Sequence, residues 1–212
     1  YPDLAENGTA ETRANNRAEI VTTDLITQLT QDGRVFIGSN AAKQTAEDIG
    51  RVNTYLDTNP SLILDVPAGT SMMPLEFIAR QGGTVANATY TYLMTIDTIV
   101  RYSSNGTQVT PRNMRSNATQ PRVAACSLYK NVAASAVIVA AAVSTHQTLD
   151  AGLYINDLDA LEGGHPIWSA KNRIAPWIVG PGSLVIYLFV ATAGPQAFWS
   201  LKWAEIPSVS VE

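Results

Sequence analysis

The chain has 212 residues, enough for one large all-β domain with an appended segment or for two small domains. Only 15% of its residues are charged, against roughly 25% in soluble globular chains, so much of the surface is uncharged and suits burial against copies or partners. A net charge of −4 and a single cysteine exclude a global attraction to nucleic acid and an intrachain disulfide.

The acidic excess of the chain lies in its N-terminal segment. Residues 1–60 contain nine Asp or Glu and five Lys or Arg, whereas residues 61–212 contain nine of each. Such a segment is typical of a solvated region or, alternatively, of an arm that docks on a basic partner.

Residues 1–58 are predicted to form a polar, partly helical N-terminal arm. Apolar residues recur there at spacings of three and four, as on one face of an amphipathic helix: Ala18, Val21, Leu25 and Leu29. A second helix is predicted from about residue 41 to residue 56, after a turn at Asp32-Gly33 and a short strand over residues 34–37. Because a narrow stripe cannot bury itself, we expect the arm to anchor on the following domain, on a neighbouring copy or on a scaffold, with Leu25 and Leu29 in the interface.

Residues 59–212 are predicted to form a separate β domain, which begins after the break at Asn59-Pro60. Its predicted strands are separated by turn signals and cover residues 61–66, 72–79, 90–102, 123–143 (one or two strands), 167–174, 184–191 and 198–206. Seven or eight short strands without intervening helices are typical of a sandwich or jelly roll. The predicted fold class is therefore mainly β, a jelly-roll-like antiparallel β-sandwich preceded by the partly helical arm.

Alternation within these strands predicts which side chains face the core. In the last strand the large apolar residues share one face: Trp199, Leu201 and Trp203. Over residues 90–102 the tyrosines and aliphatic residues share one face, and the polar residues share the other: Thr91, Thr95, Asp97 and Arg101. Pro74 predicts that its strand lies near a sheet edge or begins close to this residue.

Few residues of the chain could perform catalysis or bind a metal. Nucleophilic catalysis usually needs a histidine base, and no Gly-x-Ser-x-Gly elbow precedes His146 or His165. Asp157 and Asp159 begin like a calcium loop, but a leucine occupies the third ligand position, which favours a solvated acidic loop. The apolar neighbours of Cys126 predict a buried, unreactive thiol. We therefore expect no enzymatic activity, no metal and no cofactor.

A polar loop over residues 111–122 carries three arginines: Arg112, Arg115 and Arg122. The loop contains no aromatic side chain that could stack on bases, so we interpret it as solvated or as an intersubunit contact, and we expect no direct nucleic-acid partner. The acidic N-terminal segment is a complement for it within one assembly. No membrane partner is expected either, because the longest apolar run, Val132 to Val143, is much shorter than the roughly 20 residues of a spanning helix.

Three segments of the β domain carry a resemblance to a known group of proteins. They are Leu64-Asp-Val-Pro-Ala-Gly-Thr-Ser-Met-Met-Pro-Leu75, Trp177-Ile-Val-Gly-Pro-Gly-Ser-Leu-Val-Ile-Tyr187 and Ala193-Gly-Pro-Gln-Ala-Phe-Trp-Ser-Leu-Lys-Trp-Ala-Glu-Ile-Pro207. Together they resemble small virion proteins of tailed bacterial viruses, in which a "VPAGT…PL" strand begins a jelly roll and a "W-x-E-x-P" strand ends it. The resemblance covers residues 60–207 and leaves out the first 58.

The resemblance implies a capsid decoration or cement protein, or a head-fibre component. Such a protein would lie on the outer capsid surface of the virion, typically as a homotrimer, with the major capsid protein as its partner. The group has no catalytic residue to carry over to this chain.

Two other functions remain open at this point. The first is a carbohydrate- or receptor-binding jelly roll that recognises a host surface glycan, with Trp168, Trp177 or Tyr154 stacking on sugars. Packing in the core or in an interface is the alternative for these aromatic residues. The second is a hydrolase built on a β scaffold.

Overall fold

The computed structural model describes residues 24–40, 45–47, 51–52, 55–82, 88–116, 122–131, 139–140, 147–156, 167–190 and 196–208. Within these ranges the chain forms one helix, α1 (Leu25–Gln31), and fifteen strands. The strands are β1 (Val35–Ser39), β2 (Arg51–Val52), β3 (Leu62–Val66), β4 (Thr70–Gly82), β5 (Ala88–Asp97), β6 (Tyr102–Ser104), β7 (Thr107–Val109), β8 (Arg112–Asn113), β9 (Ser127–Lys130), β10 (Val139–Ala140), β11 (Gln147–Asn156), β12 (Trp168–Ser169), β13 (Ile178–Val179), β14 (Gly182–Val190) and β15 (Gln196–Pro207).

The strands form a jelly roll of two sheets. The first sheet has the order β8-β1-β15-β4-β12, with β13 also paired to β4, and the second has the order β7-β9-β3-β14-β5-β11. Eight strands make the framework: β1, β3, β4, β5, β11, β12, β14 and β15. Numbered from one to eight along the chain, they stand as 1-8-3-6 in the first sheet and 2-7-4-5 in the second, which is jelly-roll order. The predicted fold class is confirmed.

A long insertion between β5 and β11 widens both sheets. Its strand β8 extends the first sheet beyond β1, and β9 and β7 extend the second sheet beyond β3. The remaining two strands of the insertion, β6 and β10, pair with each other. The basic loop predicted over residues 111–122 belongs to this insertion.

The N-terminal segment is part of the sandwich where the structure describes it. The side chain of Asp24 caps α1, and Gly33 turns the chain with a φ of +67°. Strand β1 then lies between β15 and β8 in the first sheet. Residues 35–39 therefore belong to the jelly roll and not to a separate arm ending at residue 58. Ala18 and Val21 of the predicted stripe lie outside the described residues.

The helix predicted from about residue 41 to residue 56 is wrong for the part of this range that the structure describes, residues 45–47, 51–52 and 55–56. Glu47 forms an isolated bridge with Ala197 of β15, and β2 pairs in parallel with the end of β14. Beyond the ends of β1 and β3, the strands β15 and β14 offer unpaired backbone groups to this segment. Tertiary pairing of this kind overrides a weak helical stripe.

Two strand predictions need correction, and one long strand was not predicted. Pro74 lies inside the long strand β4, opposite Trp203 at a β-bulge where the register shifts, so its missing N–H breaks no regular ladder. The strand predicted over residues 167–174 is reduced to the two residues of β12. Strand β11 was not predicted at all.

The core between the two sheets contains the side chains that alternation predicted. Trp199, Leu201 and Trp203 are all at most 3% exposed, whereas Ser200 and Lys202 on the opposite face are half-buried. An added Cβ at Gly38 would lie 2.2 Å from Cδ2 of Leu128, which explains a glycine in the middle of β1.

The outer faces of both sheets are also apolar, and other segments of the chain cover them. On the first sheet, Leu29 and Ile26 of α1 pack with the 170–177 loop over Val35, Met73, Leu75 and Ala204. On the second sheet, Tyr102 and the neighbouring aromatic residues pack over Ile63, Val185 and Tyr187. These extra layers explain why β3 is buried at all five positions and why the chain has so few charged residues.

Candidate functional site

The structure brings the three arginines of the basic loop together at one edge of the first sheet. Arg112 belongs to β8, and the amide of Asn113 donates hydrogen bonds to the carbonyl oxygens of Gly33 at 2.7 Å and Arg122 at 3.1 Å. The side-chain oxygen of Asn113 accepts a hydrogen bond from the backbone N–H of Arg115 at 2.8 Å. All three arginine side chains are exposed. Asn113 thus fixes the loop beside the C-terminal end of α1.

The two leucines predicted for an interface have different environments. Leu29 is only 6% exposed and packs against the first sheet, so it is not accessible to a partner. Leu25, one turn earlier, is 55% exposed. Ile174 in the covering loop is 95% exposed and was missed, because residues 167–174 were interpreted as a strand.

The start of α1 lies close to that covering loop. The pKa of Asp24 is lowered chiefly by a hydrogen bond from the Thr27 hydroxyl and by the backbone N–H of Ile26, with a smaller contribution from the charge of Lys171. Ile26 and Leu29 of α1 pack in one cluster with Ala170, Ala175 and Trp177 of this loop, so Leu25 and Ile174 lie on one side of the molecule. Arg115 lies near the other end of the helix, since its Cδ would be 3.7 Å from a Cβ atom added at Gly33.

These side chains define one surface, which we call the helix-side surface. Arg112 pairs with Ile37 in the register of β8 and β1, so it points to the same side of the sheet as Val35, which packs under α1. The helix-side surface consists of Leu25, Arg112, Met114, Arg115 and Ile174. It combines exposed apolar side chains with positive charge, and the exposed carboxylate of Asp24 lies beside Leu25 at its edge.

Glu205 fixes the segment that carries the third arginine. Its Oε2 accepts a hydrogen bond from the N–H of Ala125 at 2.8 Å, and its Oε1 accepts bonds from the N–H of Cys126 at 3.1 Å and the indole N–H of Trp203 at 2.8 Å. The carboxylate is therefore buried but satisfied by three donors. Residues 122–126 are held over the end of β15 as a result, next to a hollow of about 310 Å³ that Arg122 helps to line.

A buried cluster of charged side chains lies on the outer face of the second sheet. Arg101 is completely buried; its Nη2 lies 3.0 Å from Oδ1 of Asp57 and its Nη1 lies 3.5 Å from Oδ2 of Asp97. The backbone N–H groups of Arg101 and Tyr102 donate to the two carboxylate oxygens of Asp65 at 3.0 and 3.2 Å. Burial raises the pKa of Asp65, and these two donors oppose the increase. The cluster attaches the insertion to the sheet.

The alternation of polar and apolar residues predicted that Arg101 and Asp97 lie on the polar face of their strand. In the structure, other segments of the chain cover that face, and both residues are buried. One sequence signal could have indicated this: in a chain with few charges, Asp65 interrupts a fully apolar strand, and Asp97 and Arg101 are four residues apart. A charge inside an apolar run needs a buried partner.

The aromatic residues predicted to stack on sugars separate into three cases. Trp168 is 1% exposed inside the core, so its ring has no face for a ligand, and this part of the prediction is wrong. The backbone of Tyr154 lies opposite Tyr90 in β11 and β5, but its side chain lies outside the described residues. Trp177 is half-buried and borders a hollow at one end of the sandwich.

Cys126 is expected to be unreactive in the folded protein. The thiol is 3% exposed, and its pKa is raised by burial and, to a smaller extent, by the carboxylate of Glu205. An aromatic disulfide reagent should label no thiol in buffer and one thiol per chain in denaturant. Rapid labelling of the native protein would contradict the burial of this residue.

The remaining residues considered for chemistry, His146, His165, Asp157 and Asp159, lie outside the described residues. In the ranges that are described, no group of three or more His, Cys, Asp or Glu side chains could hold a metal ion. No helix in those ranges is long and apolar enough to cross a membrane. Compared with protein-family models, with curated proteins and with solved structures, the chain has no match.

Proposed function

We propose that this chain is a non-enzymatic virion structural protein that binds the outer surface of a capsid as a decoration or cement protein and stabilises the shell. The observation that carries the proposal is the helix-side surface, where Leu25, Ile174 and two arginines are exposed together on one side of a jelly roll. Burying an exposed leucine or isoleucine contributes about 1.5–3 kcal/mol, so a partner that covers both gains substantial binding energy.

The composition of this surface indicates what the partner offers. Arginine and methionine are enriched in protein interfaces, and the helix-side surface contains Arg112, Arg115 and Met114 around its apolar residues. A partner surface with an apolar centre and carboxylates around it would complement these side chains. We propose the major capsid protein as that partner, and a homotrimer as the form that binds.

Location on particles tests the proposal directly. Antibodies raised against the purified chain should label the outside of intact virus particles that carry its gene, and mass photometry of the purified chain should give the mass of a trimer. Particles that contain no copy of the chain, or only internal copies, would overturn the proposal.

The helix-side surface is tested by a double substitution, Leu25→Asp with Ile174→Asp. Both side chains are exposed, so the melting temperature should hardly change, while binding to particles stripped of the protein should weaken at least about tenfold. Leu56→Asp is the matched control: this leucine is 54% exposed, close to the 55% of Leu25, but follows Tyr55, which packs on the opposite sheet. Equal loss of binding in both variants would exclude the helix-side surface.

A further inference from the structure

We propose that the hollow beside Trp177 binds one ring of a neutral sugar. This hollow, the Trp177 hollow, has a volume of about 260 Å³ and is lined by Ile96, Asp97, Thr98, Gln147, Trp177, Ile178 and Val179. It lies at one end of the sandwich. At this end β5 finishes, β11 and β14 begin, and β13 lies close by. The inference goes beyond binding to a capsid and does not depend on it.

The two walls of the Trp177 hollow come from different sheets and differ in chemistry. Residues 177–179 form the wall on the first sheet, since Ile178 pairs with Met72 of β4, and this wall is aromatic and aliphatic. The wall on the second sheet carries the exposed side chains of Thr98 and Gln147, the latter opposite Ile96.

A pyranose ring has the complementary pair of surfaces. Its C–H face packs on an aromatic ring, and its hydroxyl groups both donate and accept hydrogen bonds at the edge. The amide of Gln147 and the hydroxyl of Thr98 can each donate and accept in return. A purely apolar ligand would leave these polar groups without partners, and a purely polar one would gain nothing from Trp177.

The electrostatics of the Trp177 hollow favour an uncharged ligand. Asp97 is the one charged residue among the described lining residues, and its carboxylate is fully buried beneath the hollow; Oδ1 accepts a hydrogen bond from the N–H of Thr98 at 2.7 Å and Oδ2 faces Arg101. The carboxylate therefore positions Thr98 and cannot contact a ligand. Among the described lining residues, no side chain offers a positive charge that would compensate an acidic sugar.

The volume of the hollow indicates a single ring. Pockets for drug-sized ligands measure about 300–1,000 Å³, and this hollow is slightly smaller. A methyl glycoside of a hexose has about 13 non-hydrogen atoms, and at the usual efficiency of larger ligands it should bind with a dissociation constant on the order of 1 mM.

Intrinsic fluorescence provides a specific readout for binding. Of the four tryptophans, Trp168, Trp199 and Trp203 are at most 3% exposed, whereas Trp177 is half-buried and borders the hollow. Methyl glycosides of glucose, galactose, mannose and N-acetylglucosamine are titrated into the full chain, with methyl glucuronide and methyl sialoside as charged counterparts. At least one neutral glycoside should change the emission with millimolar affinity, and the charged ones should not.

Substitutions in the polar wall separate the hollow from other surfaces. Gln147→Ala and Thr98→Val should each weaken binding about three- to tenfold, the usual effect of one lost hydrogen bond. Gln108→Ala, which removes an exposed glutamine from β7 of the same sheet, should leave binding unchanged. Trp177→Ala also removes packing under α1, so binding by that variant is measured by saturation-transfer NMR beside its melting temperature.

Two results would overturn the inference. One is that none of the neutral glycosides binds at concentrations far above the expected constant, or that only the charged ones bind. The other is that Gln147→Ala and Thr98→Val bind as well as the unaltered chain. Neither result affects antibody labelling of particles, so failure of the sugar site and failure of the capsid role are distinguishable.

Discussion

Replacing Arg101 with alanine is expected to lower the free energy of unfolding by about 3–5 kcal/mol. The guanidinium group is completely buried and pairs with Asp57 at 3.0 Å and with Asp97 at 3.5 Å. Without it, the fully buried carboxylate of Asp97 has no opposite charge, and that uncompensated charge is the main cause of the loss. Urea denaturation at neutral pH, compared between the variant and the unaltered chain, measures the difference.

Arg112→Ala is the control for the Arg101 prediction. It removes an exposed arginine from β8, and the free energy of unfolding should change by no more than about 0.5 kcal/mol. Adding Asp97→Asn to Arg101→Ala should recover part of the stability, because it removes the charge that the first substitution leaves unpaired. A loss below about 1 kcal/mol for Arg101→Ala would mean that the cluster does not hold the insertion on the second sheet.

The jelly roll could be predicted because local patterns and long-range packing agree in its principal strands. In β15, alternate side chains enter the core at Trp199, Leu201 and Trp203, and the turn signals around β14 lie at the ends of real strands. Each of these patterns extends over a few residues and requires no knowledge of distant partners. The number of predicted strands and the turn signals between them were then enough to indicate a sandwich.

The prediction failed where a distant segment decides the environment of a residue. The sequence around residues 45–52 has a helical stripe, but Glu47 pairs with the start of β15 and residues 51–52 pair with the end of β14. Arg101 was assigned to a polar face that would be solvated in an ordinary sandwich, yet its side chain is completely buried beside Asp57 and Asp97. No local pattern contains the position of an insertion, so the layer over the outer face of the second sheet could not be derived from the sequence.

The candidate sites show the same difference between features set by local sequence and features set by distant segments. Composition and spacing identified the exposed arginine loop and the aromatic Trp177, because loops with such residues usually lie at the surface. They could not distinguish Trp177 from Trp168, which lies nine residues earlier in a similar context and is enclosed in the core. The exposed partner of Leu25, Ile174, also required the fold, since only the covering loop brings the two to one side.

Glu205→Ala is expected to lower the free energy of unfolding by at least about 3 kcal/mol. The carboxylate accepts hydrogen bonds from the N–H groups of Ala125 and Cys126 and from the indole of Trp203. Each buried donor that loses its acceptor costs about 1–3 kcal/mol, and here three donors lose it together. Glu205 is also the glutamate of the W-x-E-x-P strand end, so this network gives that short pattern a structural reason.

The matched variants for this prediction are Glu76→Ala and Glu205→Gln. Glu76 is half-buried and pairs with Lys202 across β4 and β15, so its removal should change the free energy of unfolding by at most about 1 kcal/mol. Glu205→Gln keeps one acceptor oxygen and should fall between the alanine variant and the unaltered chain. Equal stability of Glu205→Ala and Glu76→Ala in urea would contradict the three-donor network.

Loss of the Glu205 network should also release the segment that it holds. Residues 122–126 are attached to the end of β15 through the backbone of Ala125 and Cys126, so in Glu205→Ala trypsin should cut faster after Arg122 than in Glu76→Ala. A faster cut at this bond with an unchanged rate after Arg80 in β4 would show local release. If both bonds are cut faster in proportion, the substitution acts through global unfolding, and Glu205 stabilises the whole jelly roll rather than the position of its basic loop.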